Sequence, residues 1–223
     1  MNGRDAVLGK VRRALGVSGE ETARRSDVDA RLAVPLPNLI PARGQLPQDE
    51  RVALFCVMAE RVSATVRRLN AADEVPAALA EQLRRHNLPL QIRTGSDPVL
   101  HRLPWEREPH LERRIGPSDG GDAVALSYAF AGVAETGTLV LLSGPDNPTT
   151  LNFLPDTHIV MIEAKDISGD YESVWRHLRA LNGPGVLPRT VNFVTGPSRS
   201  ADIEQTLILG AHGPRALHIL VVG

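Results

Sequence analysis

The chain has 223 residues, of which 42% are hydrophobic and 23% are charged, and its formal net charge is −1. This composition is that of one globular domain, or of one domain that carries an extension. The balanced charge excludes a whole-chain electrostatic surface for nucleic acid or for an anionic membrane. The single cysteine, Cys56, excludes an internal disulfide and a four-cysteine iron–sulfur or zinc site, and its apolar neighbours predict a small buried side chain on a helix.

The sequence shows no signal-peptide pattern and no apolar run of the ~20 residues that a transmembrane helix needs. Its longest apolar stretches, such as Thr138–Leu142 and Leu217–Val222, have the length of strands. We therefore expect a soluble, cytoplasmic protein without membrane insertion.

The first part of the chain predicts a helix followed by an extended arm. Four apolar residues share one face of a helix predicted over residues 4–15, namely Val7, Leu8, Val11 and Leu15. Residues 17–49 are polar and then proline-rich, and closely spaced prolines oppose regular helix, so an extended connector is expected. We interpret residues 1–49 as an N-terminal extension and residues 50–223 as the α/β domain.

The middle of the chain predicts two further helices and the first strand. Apolar residues at steps of three and four predict one long helix over residues 49–70. A second helix is expected over about 75–86, with Pro76 in its first turn and basic residues at its end. Leu90–Arg93 is the first predicted strand, and residues 96–120 are expected to form a loop with short elements.

From residue 121 onward the pattern predicts alternating strands and helices. Strands are expected at Val124–Tyr128, Thr138–Leu142, His158–Glu163, Thr190–Thr195 and Leu217–Val222. Helices are predicted over residues 171–182 and from about Ser200 to Leu209. Alternating elements with short connections indicate right-handed βαβ units on a parallel sheet, so the predicted fold class is α/β.

Three polar clusters mark the expected ligand site, because open α/β sheets bind ligands beyond the carboxyl ends of their strands. The clusters are Ala134–Thr138, Gly196–Glu204 and Gly210–Pro214. The first precedes a predicted strand, the second joins a strand to a helix, and the third leads into the last strand. We expect all three to lie at this edge of the sheet.

The second cluster predicts an anion site at a helix N-terminus. Ser198 or Ser200 would cap the helix, and its free N–H groups together with Arg199 would hold a carboxylate or phosphate. Alternatively, Asp202 and Glu204 in the first turn satisfy the helix dipole, and the cluster is only a well-capped helix. The acidic pair argues against a highly charged anion such as a triphosphate.

Glu135 and two histidines are the candidates for proton transfer. Glu135 lies inside an apolar stretch, where burial either prepares it for acid–base work or requires hydrogen bonds from a turn. His158 and His212 could converge with carboxylates on a proton-transfer or metal site, although no metal-ligand spacing is present. His218 is assigned to the surface or to packing. The absence of G-x-G-x-x-G and P-loop motifs argues against a Rossmann dinucleotide site.

Four motifs occur along the second half of the chain in this order: Gly132–Thr138, Leu154–Val160, Gly196–Glu204 and Gly210–Pro214. Together they resemble the LUD domain family, and within it the C-type lactate utilization branch. The resemblance covers roughly residues 50–223 and is densest from residue 121. It implies a three-layer α/β architecture with a mainly parallel sheet, similar to the CoA-transferase and ribose-5-phosphate isomerase group.

The resemblance also implies a function. It predicts a cluster-free subunit of an iron–sulfur system that oxidises L-lactate to pyruvate, with the clusters in partner subunits, the lactate utilization proteins A and B. The chain would then be a component of an oxidoreductase system and not an oxidoreductase alone.

Candidate site residues follow from their positions in these motifs. Glu135 and His212 are the candidate catalytic residues. The candidate residues for binding a small carboxylate are Thr136, Ser198, Arg199, Ser200, Asp202 and Glu204. No cofactor and no metal ligand is assigned to this chain.

Two alternatives remain open at this point. The chain could be a non-catalytic assembly or scaffold subunit of the same system, with residues 1–49 as its interaction element. It could also be a stand-alone enzyme that acts on a phosphorylated sugar or an acyl-CoA, as fold analogy alone suggests.

Overall fold

The computed structural model describes residues 2–34, 36–183, 185–201 and 207–223. In this part of the chain, helices α1 to α6 lie at Gly3–Leu15, Thr22–Ala33, Gln48–Arg61, Val75–Arg85, Pro98–His101 and Tyr171–Asn182. Strands β1 to β12 lie at Thr65–Leu69, Gln91–Thr94, Glu112–Ile115, Val124–Tyr128, Ala131–Val133, Thr138–Leu142, Thr157–Glu163, Ile167–Ser168, Val191–Val194, Arg199–Ala201, Leu207–Leu209 and Ala216–Val222.

A six-stranded parallel sheet forms the centre, in the order β1, β12, β7, β4, β2 and β3. Its middle strands β7 and β12 are almost wholly buried, as expected for parallel strands that are covered on both faces. In the register between them, His158 pairs with Leu217, and Ile159 pairs with His218. Paired residues share a face and successive residues alternate, so His158 and His218 lie on opposite faces of this sheet.

Different elements cover the two faces of the central sheet. On one face α4 packs through Val75, Leu79 and Leu83. On the other face lie α3, with Phe55 and Ala59, and a second sheet of four strands in the order β8, β5, β6 and β9. Helix α6 covers the outer surface of this second sheet. His158 lies on the face toward the second sheet, and His218 lies on the face toward α4.

The second sheet contains a tight hairpin that packs against α3. Strands β5 and β6 pair antiparallel, and β6 pairs antiparallel with β9. Gly137 in the hairpin turn has a φ of 66°, and a Cβ there would collide with the backbone of Ala59. Only glycine combines this backbone conformation with this close approach.

A short stretch around residues 42–45 attaches the N-terminal segment to the domain. Helices α1 and α2 contain no buried residue, whereas the 3₁₀ turn Ala42–Gly44 packs against Gly169, so closely that a Cβ on either glycine would collide with the other's carbonyl group. The Gln45 amide donates to Asp170 Oδ2 over 2.9 Å. These contacts hold residues 42–45 beside the hairpin between β5 and β6.

The α/β class with a mainly parallel sheet is confirmed, and so are most of the long elements. The helices predicted at 4–15, 75–86 and 171–182 are α1, α4 and α6. The predicted strands at 124–128, 138–142, 158–163 and 217–222 are β4, β6, β7 and β12, and Leu90–Arg93 corresponds to β2. The strand at 190–195 is β9, although it is antiparallel and belongs to the second sheet.

The prediction of one long helix over residues 49–70 is wrong at the C-terminal end of that helix. Helix α3 ends at Arg61, and Ser63 has a φ of 68°, which turns the chain into β1. No glycine or proline marks this stop. Val66 and Leu69 also fit a helical step, which concealed the strand. The first strand of the chain is therefore Thr65–Leu69, and Leu90–Arg93 is not the first.

Two further predictions are corrected. The connector predicted over residues 17–49 contains α2, which ends before the prolines begin. The helix predicted from Ser200 to Leu209 is absent from the part of this segment that the structure describes, where β10 and β11 pair antiparallel. The short apolar run at Leu207–Leu209 fits a strand as well as a helix, so periodicity alone could not decide between them.

None of the helices in the described part of the chain has both the length and the apolar character needed to cross a membrane.

Candidate functional site

Two of the three polar clusters meet around a cavity of about 270 Å³ between the central sheet and the second sheet. Ser198 and Arg199 of the second cluster and His212 of the third lie in its wall, together with Asn152 and His158. We call this the His158 cavity. It lies at the amino ends of β7 and β12, where His158 and Leu217 line it. The predicted position at the carboxyl ends of the central strands is therefore wrong, because the third cluster precedes β12.

The loop that follows β9 is held against the end of α3. Gly196 has a φ of 78°, and a Cβ there would collide with the carbonyl oxygen of Val62. The Arg199 guanidinium donates to this same carbonyl oxygen. Arg199 lines the cavity and makes no ion pair within the described residues.

The loop before β12 is joined to the loop after β9 by backbone hydrogen bonds. Ser198 N–H donates to the Pro214 carbonyl over 2.8 Å, and Gly210 N–H donates to the Ser198 carbonyl over 3.0 Å. Gly213 lies against the Ser198 side chain. His212 is exposed at the rim of the cavity. These contacts place Ser198, Arg199 and His212 on one side of the cavity, as the motif positions had led us to expect.

His158 lies in the wall of the cavity and is fully buried. Its Nε2 lies 2.9 Å from Ser127 Oγ, and Ser127 Oγ lies 3.3 Å from Asn152 Oδ1. An amide oxygen only accepts, so the Ser127 hydroxyl donates to Asn152 and accepts from His158 Nε2–H. This arrangement leaves His158 Nδ1 as an acceptor, and Nδ1 has no partner within the described residues. Burial lowers the pKa of His158 to about 3, so the imidazole is neutral at physiological pH.

The charge of the cavity favours an anion. Among the described residues that line it, Arg199 and His212 can carry positive charge and none is acidic. The predicted helix dipole is absent, because Arg199–Ala201 is a strand. Side-chain donors and the loop backbone would therefore have to hold an anion here. Asp202 and Glu204 lie outside the described residues, and Ser200 lies in β10.

The first cluster lies beside this cavity and not in its wall. Glu135 is 4% exposed, and its Oε2 is 3.6 Å from Arg43 Nε but has no hydrogen-bond partner within the described residues. Thr136 Oγ1 is 2.9 Å from the Tyr171 hydroxyl and 2.7 Å from Thr138 Oγ1. The structure therefore separates Glu135 from His212, and the catalytic role of Glu135 stays a prediction.

Hydroxyl groups connect the first cluster to the His158 cavity. Thr138 Oγ1 lies 2.7 Å from Thr195 Oγ1 and 3.0 Å from the Tyr171 hydroxyl, and Thr195 lines the cavity. Sequence reasoning missed Thr195, together with Ser127 and Asn152 beneath His158. Each is a single polar residue in or beside an apolar run, and only the pairing of distant strands brings them together.

Within the residues that the structure describes, no three His, Cys, Asp or Glu side chains come together as a metal site. His158 and His212 do share the wall of one cavity, but they supply only two candidate nitrogen ligands.

The central parallel sheet, flanked by helices and by a second sheet, defines a mixed α/β domain. A solved structure described as a DUF162 family protein from Deinococcus radiodurans has the same fold, with a TM-score of 0.60 at 20% identity over 80% of this chain and 99% of that one. The family model of the LUD domain matches residues 52–222. The chain belongs to the LUD domain family.

Curated relatives resemble the chain over shorter stretches. Lactate utilization protein C of Halalkalibacterium halodurans is 39% identical over 113 residues, which cover 49% of this chain and 48% of that protein. Lactate utilization protein C of Shouchella clausii is 37% identical over 99 residues, which cover 44% and 43%. An uncharacterized protein of Neisseria meningitidis is 38% identical over 98 residues. The chain spans about half the length of the curated relatives it matches.

Proposed function

We propose that this chain takes part in the oxidation of L-lactate to pyruvate as a subunit that binds a small carboxylate in the His158 cavity. Family membership and the relatives named lactate utilization protein C support this role. The observation that carries the proposal is the cavity itself, where Arg199 and His212 meet above a neutral His158 and no acidic residue is found among the described lining residues.

The cavity has a group for each part of a 2-hydroxy acid. Arg199 pairs with the carboxylate, because a guanidinium matches the geometry of two carboxylate oxygens. His158 Nδ1 accepts a hydrogen bond from the 2-hydroxyl group and orients it. Because His158 remains neutral, it positions the 2-hydroxyl group and does not accept the proton of that group. His212 at the rim is the group that takes up a proton.

Oxidation of lactate to pyruvate breaks the O–H bond of the 2-hydroxyl group and the C2–H bond, which releases two protons and two electrons. One proton passes to His212 and the other to solvent, and the electrons need an acceptor. The chain has one cysteine, too few thiolates for an iron–sulfur cluster of its own. We propose that iron–sulfur partner subunits, the lactate utilization proteins A and B, receive the electrons. The volume of about 270 Å³ suits a three-carbon acid and is small for an acyl-CoA, since pockets for drug-sized ligands begin near about 300 Å³.

Calorimetric titration of the purified chain with L-lactate and pyruvate tests the binding site. Arg199→Gln should weaken binding about tenfold or more, because a hydrogen bond to a charged group contributes about 1.5 to 3 kcal/mol. Arg189→Gln is the matched control, since Arg189 is exposed at the opposite end of β9 and its replacement should leave binding unchanged. Equal binding by both variants would contradict the assignment of Arg199.

Oxygen uptake on L-lactate tests the role in cells. A strain that lacks the gene should lose this respiration, and the wild-type chain and Arg189→Gln should restore it, whereas Arg199→Gln should not. Unchanged respiration in the deletion strain, with no second copy of the gene, would overturn the proposed substrate. Rescue by all three chains would favour a scaffold function.

A separate observation favours the alternative scaffold function. Helix α1 exposes an apolar stripe, with Val7 and Leu15 each 62% exposed, and such a stripe suits contact with a partner protein. Deletion of residues 2–38 spares the contacts of residues 42–45 with the domain. If α1 and α2 recruit the iron–sulfur subunits, this deletion abolishes their co-purification while lactate binding persists. Retained co-purification would remove the idea.

A further inference from the structure

Two neighbouring apolar side chains are exposed at the rim of the His158 cavity. Phe153 lines the cavity and is 41% exposed, and Leu154 beside it is 47% exposed. Among the described residues, no other aromatic side chain is as exposed as Phe153. Adjacent exposed apolar side chains are typical of contact surfaces, and aromatic residues are enriched there. We call Phe153, Leu154, Arg199 and His212 the mouth of the cavity.

The apolar part of the mouth is held against its polar part. The Phe153 ring lies against Gly213, the residue after His212. The backbone N–H of Arg215 donates to the Asp156 carbonyl over 2.8 Å, which joins the segment after Phe153 to the loop that carries His212. The mouth is therefore formed before any partner arrives, and a pre-organised surface loses less conformational entropy on binding.

The charges of the mouth indicate the chemistry of a partner. Arg199 and His212 can carry positive charge, and none of the described residues that line the cavity is acidic. Asp156, close to Leu154 along the chain, is paired with Arg215 at 3.5 Å. A surface with acidic side chains is complementary to this mouth, and a basic surface is repelled. The mouth of a second copy would bring like charges together in a symmetric contact.

The oxidation of a 2-hydroxy acid gives a reason for a partner at this place. Two electrons have to leave the cavity, and the single cysteine of the chain cannot hold an iron–sulfur cluster. Arg199 and His212 are exposed, so the cavity opens to solvent at its mouth. A partner seated there brings its redox centre to the open side of the cavity and excludes water from the bound acid.

We propose that the mouth of the His158 cavity is the docking surface for the protein subunit that accepts the electrons. This subunit presents an apolar patch flanked by acidic side chains. Phe153 and Leu154 are the apolar anchors, and Arg199 and His212 guide the approach, so association slows as the ionic strength rises. The inference rests on the proposed function, because it names the surface through which that function reaches its electron acceptor.

Binding of the purified chain to purified lactate utilization proteins A and B tests the docking surface. Leu154→Ser should weaken this binding about tenfold, because it removes an apolar anchor. Ile115→Ser is the matched control, since Ile115 is 53% exposed and lies on β3, three strands away from β7 in the central sheet. It should bind the two proteins like the wild type. Both variants should bind L-lactate normally, because neither residue lines the cavity.

Chemical modification of histidines with diethyl pyrocarbonate locates the partner independently. His212 and His110 are both exposed in the chain alone. In the complex with proteins A and B, His212 should be protected from modification, whereas His110 should react at an unchanged rate. This readout depends on where the partner sits and not on the stability of a variant.

Several results overturn the proposal. Equal affinity of proteins A and B for Leu154→Ser and Ile115→Ser, an unprotected His212, or no binding to the wild type would each do so. Affinity lost only on deletion of residues 2–38 would assign the contact to α1 and α2. A dimer of the purified chain that Leu154→Ser dissociates would assign the mouth to a second copy.

Failure of the proposed function is read separately, by titration with L-lactate. A chain that binds proteins A and B through Leu154 but does not bind L-lactate would contradict the carboxylate site and leave the docking surface in place. A chain that binds L-lactate but contacts the two proteins elsewhere would do the reverse.

Discussion

His158 and His218 lie near the amino ends of neighbouring strands, on opposite faces of the same sheet, and their surroundings differ. His158 is enclosed by Ser127 and Asn152, which leave its Nδ1 as an acceptor. His218 Nδ1 lies 2.6 Å from Oγ1 of Thr65, which is exposed on the edge strand β1. Both imidazoles are neutral because burial lowers the pKa of each. Each histidine contacts a hydroxyl on the adjacent strand through one ring nitrogen, and its other nitrogen has no partner within the described residues. The two hydroxyls differ in burial, because Ser127 is buried and Thr65 is exposed. The surroundings of a buried histidine are therefore not defined by the residue type alone.

The largest expected effect is on the wall of the His158 cavity. Gly196→Ala places a Cβ against the carbonyl oxygen of Val62 at a φ of 78°. Backbone strain and overpacking each cost about 1 to 3 kcal/mol, so we expect a loss of about 4 kcal/mol in the free energy of unfolding, measured by urea denaturation. A loss below about 1 kcal/mol would show that this loop can move away from α3.

The second effect is on stability in acid. An unfolded histidine takes up a proton below about pH 6.5, whereas folded His158 and His218 remain neutral down to about pH 3 and about pH 4. Stability that is complete above about pH 6.5 should therefore fall as the pH falls toward these values, by about 3 kcal/mol for each histidine at about pH 4. His158→Gln and His218→Gln should each remove one part of this pH dependence, measured as the free energy of unfolding against pH. Unchanged pH profiles in both variants would contradict the neutral imidazoles.

A third effect separates the two hydroxyl partners. Ser127→Ala should lower the free energy of unfolding by about 2 kcal/mol, because His158 and Asn152 then lack a partner in a buried site. Thr65→Val should cost only about 0.5 to 1 kcal/mol, because Thr65 lies at the solvent-exposed edge of the sheet. Thermal unfolding measures both losses. Equal losses in the free energy of unfolding for Ser127→Ala and Thr65→Val would mean that the two histidines are enclosed to the same degree.

The smallest expected effect is a gain in stability in the turn between α3 and β1. Ser63 has a φ of 68°, a conformation that costs a non-glycine residue about 1 to 2 kcal/mol. Ser63→Gly should raise the free energy of unfolding by about 0.5 kcal/mol, after the larger entropy of glycine in the unfolded chain is subtracted. Thermal unfolding measures this, and a lower melting temperature would show that the Ser63 side chain stabilises the turn more than its conformation costs.

Sequence reasoning succeeded where a pattern repeats over several turns or lies between clear stop signals. Helix α6 combines an apolar face with the N-cap Asp170 and the stop at Gly183, and α4 has Pro76 in its first turn. It failed at Ser63, where a serine adopts the conformation usually given to glycine, and at Leu207–Leu209, where a short apolar run fits either element. These failures are local, whereas the α/β class rests on the long buried strands.

The candidate site was predictable in its parts but not in its position. Motif positions predicted Ser198, Arg199 and His212, and the structure brings them together. The cavity lies at the amino ends of β7 and β12 and not at carboxyl ends, because the loop that carries His212 precedes β12. His218 was assigned to the surface or to packing, because nothing in the sequence shows that Thr65, distant along the chain, pairs with it.

The crossing of Gly44 over Gly169 limits how this protein can change over evolutionary time. Each glycine leaves no room for a Cβ on the other, and both already have the smallest side chain available. A larger residue at either position therefore cannot be compensated by a smaller residue at the other. In a packed core, by contrast, a larger side chain can be accommodated when its neighbour is replaced by a smaller one. A substitution at Gly44 or Gly169 would therefore disrupt the contact between the N-terminal segment and the domain, and no second substitution could restore it. Helices α1 and α2, which contain no buried residue, are not constrained in this way.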